Sequence, residues 1–223
     1  MRYQKLRQAR KILKQTDGLF WRNVVLSSGF ALPFVVVACV SLKNAAALSI
    51  AMLFALVPPA LILSFIPAKL PGWLRPVLGC LLSMVSVLLS YFPIQFISLE
   101  IFDSLGIFLP LTAVSSLVFG ITAEPYAGKW ADAILDGLRA AVGFALAAAL
   151  VGGLRELLGS GTLWGAPVWS VKVPGLVPVF GGFIITAFFA AGSRLLRRLS
   201  SVALIRSDNP LPGLEKAEGG ARR

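Results

Sequence analysis

The chain has 223 residues, 57% of them apolar, with a mean hydropathy of +0.82 and only 14% charged. A soluble domain carries about a quarter charged residues, so this composition excludes an ordinary soluble protein and points to an integral membrane protein. With no histidine and two cysteines, the chain has no histidine-ligated haem or zinc site and no Ser–His or Cys–His nucleophile pair of its own.

The net charge of +11 would suit nucleic acid, but its distribution suits a bilayer. Arg2, Lys5, Arg7, Arg10, Lys11, Lys14 and Arg22 precede or open the first apolar run. Arg194, Arg197, Arg198, Arg206, Lys216, Arg222 and Arg223 follow the last one. An apolar helix needs about 20 residues to cross the hydrocarbon core. Six stretches qualify: 20–41, 46–66, 74–96, 105–121, 138–158 and 176–196. They are continuous rather than alternating, which predicts helices and not barrel strands. With six spans both termini share one side. Lys69, Arg75, Lys129 and Arg139 join them there, and only Lys43, Arg155 and Lys172 face the other side. Positive-inside bias makes the first side cytoplasmic. The expected partner of the basic ends is an anionic lipid surface, not nucleic acid.

In chain order, residues 1–18 are a basic segment, read either as a surface amphipathic helix around Leu6, Ile12 and Leu13 or as a topogenic charge cluster. No small-residue cleavage site closes the first apolar run, so no cleaved signal peptide is expected. The transmembrane domain covers 19–200, and 201–223 reads as a disordered cytoplasmic tail. The first span holds Gly29-Phe30-Ala31-Leu32-Pro33 and the fourth holds Gly106-Ile107-Phe108-Leu109-Pro110. The shared Gly-x-x-Leu-Pro divides the domain into repeats of about 19–97 and 98–200. Three spans per repeat make the repeats inverted, with interrupted helices 1 and 4 flanking a central passage. Gly29, Pro33, Gly106 and Pro110 are the candidate lining of that passage.

Cys39 and Cys80 fall toward opposite membrane faces, too far apart for a disulfide, and read as small buried apolar residues. Gly79, Ser83, Ser86 and Ser90 in the third span suit close helix packing. The loop 122–136 carries Glu124, Asp132 and Asp136. Of these, Glu124 and Asp136 are the candidates for the cytoplasmic mouth of an ion pathway, against the plainer reading of surface charge. Arg155 and Glu156 close the small-faced fifth span and must pair or snorkel. Gly159-Ser160-Gly161 reads as a helix stop. No phosphate-cradling loop or paired-carboxylate motif is present, so the chain is not catalytic alone.

The strings Ser104-Leu-Gly-Ile-Phe-Leu-Pro-Leu111, Ala123-Glu124, Leu135-Asp136-Gly137 and Leu154-Arg-Glu-Leu-Leu-Gly-Ser-Gly-Thr-Leu163 resemble the membrane subunits of the Rnf and Nqr electron-transport complexes. The E-type subunit of Rnf and the D-type subunit of Nqr are the nearest in pattern, and Asn23 and Asn44 also keep the family spacing. The resemblance implies an all-α membrane fold with six transmembrane helices as two inverted repeats. It implies a bacterial or archaeal cytoplasmic membrane and a homologous six-helix partner of opposite topology. It also implies flavin- and iron–sulfur-bearing subunits in a translocase that moves electrons from ferredoxin or NADH and pumps Na⁺ or H⁺. In that family the paired subunits share a [2Fe–2S] cluster, each giving one cysteine from span 1 and one from span 4. Here those positions hold Leu32 or Pro33, and Ser116. Leucine and proline cannot ligate iron, and serine is a poor substitute for thiolate. The chain is therefore expected to bind no cluster and to serve as half of a scaffold and ion pathway. The alternative is a cofactor-free small transporter, or a membrane component of another complex that reuses this fold.

Overall fold

The computed structural model describes Val25 and residues 28–66, 71–126, 128–170 and 172–207, with backbone alone over 196–207. The basic segment 1–18 and the tail beyond 207 lie outside the described residues. The protein is mostly helical. Among the described residues three helices are long and apolar enough to cross a membrane: α1 (Leu42–Ser64), α2 (Leu74–Gln95) and α6 (Trp130–Arg155), the last with the turn that follows it. Between α2 and α6 lie three short helices, α3 (Glu100–Leu105), α4 (Phe108–Leu111) and α5 (Ser116–Ala123). The described residues close with α7 (Val179–Ser207), which continues past position 200 into the stretch assigned to the tail. A small hairpin pairs β1 (Thr162–Leu163) with β2 (Ala166–Pro167), Thr162 opposite Pro167.

The central helix is α1, which packs on α6 along one side and on α2 along the other. Its start is fixed by Ser41, whose extended backbone and hydroxyl cap the amide of Asn44 at 3.2 Å. Its interior contains Pro58 and Pro59. Proline has no N–H, so each leaves the carbonyl four residues earlier without its helical donor. Those carbonyls belong to Phe54 and Ala55. Ser86 Oγ donates to Phe54 O at 2.6 Å, and Ser83 Oγ donates to Ala55 O at 2.9 Å. The α2 serines thus do more than allow close packing: they repair the backbone that the prolines break.

The α2 helix is inside out by soluble standards. Ser83, Ser86 and Ser90 are buried, while Leu81, Val85, Leu88 and Phe92 are exposed. A lipid-facing helix tolerates an apolar outer stripe and needs its polar groups satisfied inward. The core between α1 and α6 is built from Ala45, Leu48, Met52 and Leu56 against Ala141, Phe144, Ala148 and Val151.

The structure changes three local expectations. The α6 helix begins at Trp130, so Asp132 and Asp136 stand on its first turns and not in a loop; Asp132 suits the positive end of a helix. In the fourth apolar stretch the breaks fall at Gly106 (φ +45°) and at extended Ser115, with Pro110 inside α4 between them. Finally, Arg155 and Glu156 neither snorkel nor pair with each other. Arg155 is 1% exposed and Glu156 6%, and each satisfies a different stretch of backbone. Gly161 does stop the helix, at φ +71° with its amide on Leu157 O at 3.2 Å.

Candidate functional site: two broken segments

Over its described residues the first apolar stretch is as irregular as the fourth. Gly29 (φ +75°) and Ala31 (φ +55°) are both left-handed. A short π-helical turn, Phe34–Ala38, follows and ends at Cys39 before Ser41 caps α1. Left-handed backbone costs alanine about 1–2 kcal/mol and persists only where neighbours hold it. The neighbour is the other broken segment: the Ala31 amide donates to Ser116 Oγ at 3.0 Å. Ser115 caps α5 through the Val118 amide at 3.3 Å, which sets Ser116 at the head of that helix. A second tie is Asn44, whose Nδ2 donates to Ser104 Oγ at 2.8 Å, beside the Gly106 break, and to Ala38 O at 3.4 Å. The two broken segments that carry the Gly-x-x-Leu-Pro strings are thus tied together through Ser104 and Ser116.

The residues here do not fit a thiolate-bound cluster. Ser116 Oγ is already engaged, and Leu32 and Pro33 offer no donor atom to a metal. Cys39 and Cys80 are free and buried. Among the described residues no group of three or more His, Cys, Asp or Glu side chains could hold a metal ion.

The two mouth candidates do converge. Glu124 and Asp136 line one cavity of about 510 Å³ with Phe30, Gly120, Tyr126 and Arg139. Phe30 brings the first broken segment to this cavity, next to Gly29. Pro33, Gly106 and Pro110 do not line it. Arg139 Nη1 lies 3.0 Å from Asp136 Oδ1, a pairing that the loop reading of this stretch does not anticipate.

Tyr126 carries no signal in the sequence pattern. It packs against Ala60 and Ala133, and its buried hydroxyl has no hydrogen-bond partner. Burial, followed by the carboxylates of Asp136, Glu124 and Asp132, pushes its pKa up to about 12. Asp136 faces this hydroxyl without forming a well-aligned bond. An unpaired buried hydroxyl contributes nothing to offset its desolvation, so Tyr126→Phe is expected to leave stability unchanged or raise it by up to about 1 kcal/mol. The sign with pH is definite. Unfolded tyrosine ionises near its ordinary value of 10, whereas the folded side chain resists, so stability is lost as pH rises from about 10 to about 12. Melting midpoints of both proteins across that range should show the Phe variant gaining on the wild type.

These features define a polytopic helical membrane protein whose apolar stretches are broken in two places that are hydrogen-bonded to each other. The chain belongs to the family described as "Rnf-Nqr subunit, membrane protein", which matches residues 12–195. Among its relatives, the E-type subunit of the ion-translocating oxidoreductase complex of Haemophilus ducreyi is 32% identical over 155 residues, covering 66% of each chain. The E-type subunit of the same complex from Methanosarcina acetivorans is 33% identical over 125 residues, covering 55% of this chain and 58% of the relative. The one from Shewanella sp. (strain ANA-3) is 28% identical over 198 residues, covering 78% and 83%. The chain thus spans about two thirds or less of the length of the first two relatives.

Proposed function

We propose that this chain is a membrane subunit of an ion-translocating oxidoreductase complex, forming half of a paired transmembrane scaffold and ion pathway. The observation that carries the reading is the contact between the two broken segments. Irregular backbone at membrane depth is tolerated only against protein or water. Phe30, Pro33 and Ser116 are nonetheless exposed on this chain, so the surface needs a cover. A homologous six-helix subunit of opposite topology, meeting this face with its own broken segments, is the proposed cover. The chain itself is taken as two inverted three-helix repeats, about 19–97 and 98–200, with both termini in the cytoplasm of a bacterial or archaeal cell. The pathway runs past Gly29, Pro33, Gly106 and Pro110 and opens at Glu124 and Asp136. Redox groups sit in flavin- and iron–sulfur-bearing partner subunits, because Leu32, Pro33 and Ser116 supply no thiolate.

Affinity purification of the tagged chain from native membranes in mild detergent tests this. The expected result is a homologous membrane subunit together with flavin and iron–sulfur subunits, in near-equal amounts. Recovery of the chain alone, as a homodimer or with a transporter assembly overturns it in favour of the cofactor-free reading.

A further inference from the structure

Arg155 is fully buried, and among the described residues all its hydrogen bonds go to backbone carbonyls. Nη1 donates to Val36 O at 2.6 Å and to Cys39 O at 3.2 Å. Nη2 donates to Val177 O at 2.5 Å and to Pro178 O at 3.2 Å, and Nε donates to Leu176 O at 3.4 Å. One edge of the guanidinium therefore takes the carbonyls where the first broken segment ends. The other edge takes the turn that leads into α7. A cation belongs at the first place, because the last carbonyls of a helical turn lack amide partners and carry partial negative charge.

Glu156 turns the opposite way. Its Oε2 accepts from the Leu42 amide at 2.7 Å, at the positive end of α1. Its Oε1 accepts from the Gly165 amide at 2.8 Å and from Thr162 Oγ1 at 3.3 Å, which ties in the hairpin. Two adjacent residues thus satisfy the carbonyl end and the amide end of a single break, 36–42. Two glycines let the elements come this close. A Cβ on Gly182 would stand 2.6 Å from Val36 O and 3.1 Å from Arg155 Nη1, and one on Gly152 would stand 3.0 Å from Ser41 O. This end of the bundle lies about 28 Å from Asp136, at 1.5 Å per residue along α6.

We propose that Arg155 and Glu156 are a positioning pair, a two-sided clasp that holds the first broken span closed at this end, with the Arg155 fork as the latch over the interior at Cys39. The clasp stands whether or not the complex assigned above is correct. Cys39, 0% exposed beside the latch, reports its release. Cys80, 9% exposed on α2, reports loosening elsewhere.

The test is alkylation of the full chain in its native membranes with N-ethylmaleimide, each cysteine followed by peptide mass spectrometry. Arg155→Lys keeps the charge but not the fork, since one ammonium cannot span both carbonyl groups. Modification of Cys39 is expected to become at least about tenfold faster, as for a local opening, with Cys80 unchanged. Gly182→Ala, which presses on the same fork, should repeat the pattern if the lysine variant fails to accumulate. Cys39 remaining as slow as in the wild type overturns the clasp. So do Cys39 and Cys80 rising together, because that is general loosening and not release of one latch.

Discussion

Arg155→Leu is expected to remove most of the protein from the membrane fraction. Leucine leaves the carbonyls of Val36, Cys39, Leu176 and Val177 without the donor they share, whereas Pro178 O keeps the amides of Gly181 and Gly182. At Val36 and Cys39 the bonds are buried and no water replaces the lost donor, while those to Leu176 and Val177 lie partly at the surface. Each unsatisfied buried carbonyl costs about 1–3 kcal/mol, while a whole domain is stable by only about 5–15 kcal/mol. One effect opposes this. Burying a guanidinium is itself unfavourable, and apolar replacement of a whole buried ion pair is often neutral. Here the acceptors are backbone and remain behind, so the case resembles breaking a pair, which costs about 3–5 kcal/mol. Arg155→Lys should fall between the two, since it still serves one of the two carbonyl groups. The measurement is the amount of tagged protein in washed membranes, with the melting midpoint of whatever is recovered. Normal amounts of Arg155→Leu with an unchanged midpoint would show that the carbonyls have other partners.

The sequence makes this residue visible but not its role. Adjacent Arg155 and Glu156 at the end of an apolar span announce an exception, because charge is expensive there. Pattern reasoning then offers only local outcomes, pairing or snorkelling. The real partners lie far along the chain, at Val36 and Leu42. The same limit explains Ser116. Its place in the fourth span is legible from Gly106-Ile107-Phe108-Leu109-Pro110, yet its bond to Ala31 crosses 85 positions. Ser83 and Ser86 are a milder case. Small residues in an apolar helix correctly suggest close packing, but nothing in the pattern ties them to the carbonyls that Pro58 and Pro59 free inside α1. Only the register of α2 against α1 joins the two facts. Directly legible features are those that depend on one residue's own chemistry or on a run of neighbours. The apolar lengths of α1, α2 and α6 and the left-handed stop at Gly161 are of this kind, as is the lack of thiolates at Leu32, Pro33 and Ser116. The start of α6 falls earlier than hydropathy places it, because Trp130 to Asp136 is too polar for a span but fully able to form a helix.

Gly79→Ala is expected to destabilise the protein by about 1–3 kcal/mol, the usual range for overpacking a close-packed interior, and Thr122→Ala is expected to restore part of that loss, because it removes Oγ1 and Cγ2 but keeps Cβ. A Cβ built on Gly79 collides with Thr122 Cβ, Oγ1 and Cγ2 together. Thr122 cannot swing aside easily. It is 1% exposed, β-branched, and held by its hydroxyl on Val118 O at 2.7 Å. The alternative is that α5 moves away from α2. That movement has a consequence beyond stability, because α5 begins at Ser116 and Ser116 holds the left-handed Ala31. A methyl group on α2 should therefore loosen the contact between the broken segments. Alanine in place of glycine normally favours a helix by about 1 kcal/mol, so a net loss of stability would itself show that the steric term dominates. The check is a double-mutant cycle on melting midpoints of Gly79→Ala, Thr122→Ala and the pair. A coupling of more than about 1 kcal/mol is what residues in direct contact produce. Additive effects would mean that α2 and α5 do not press on each other here, and that the second broken segment is held in place by something other than this glycine.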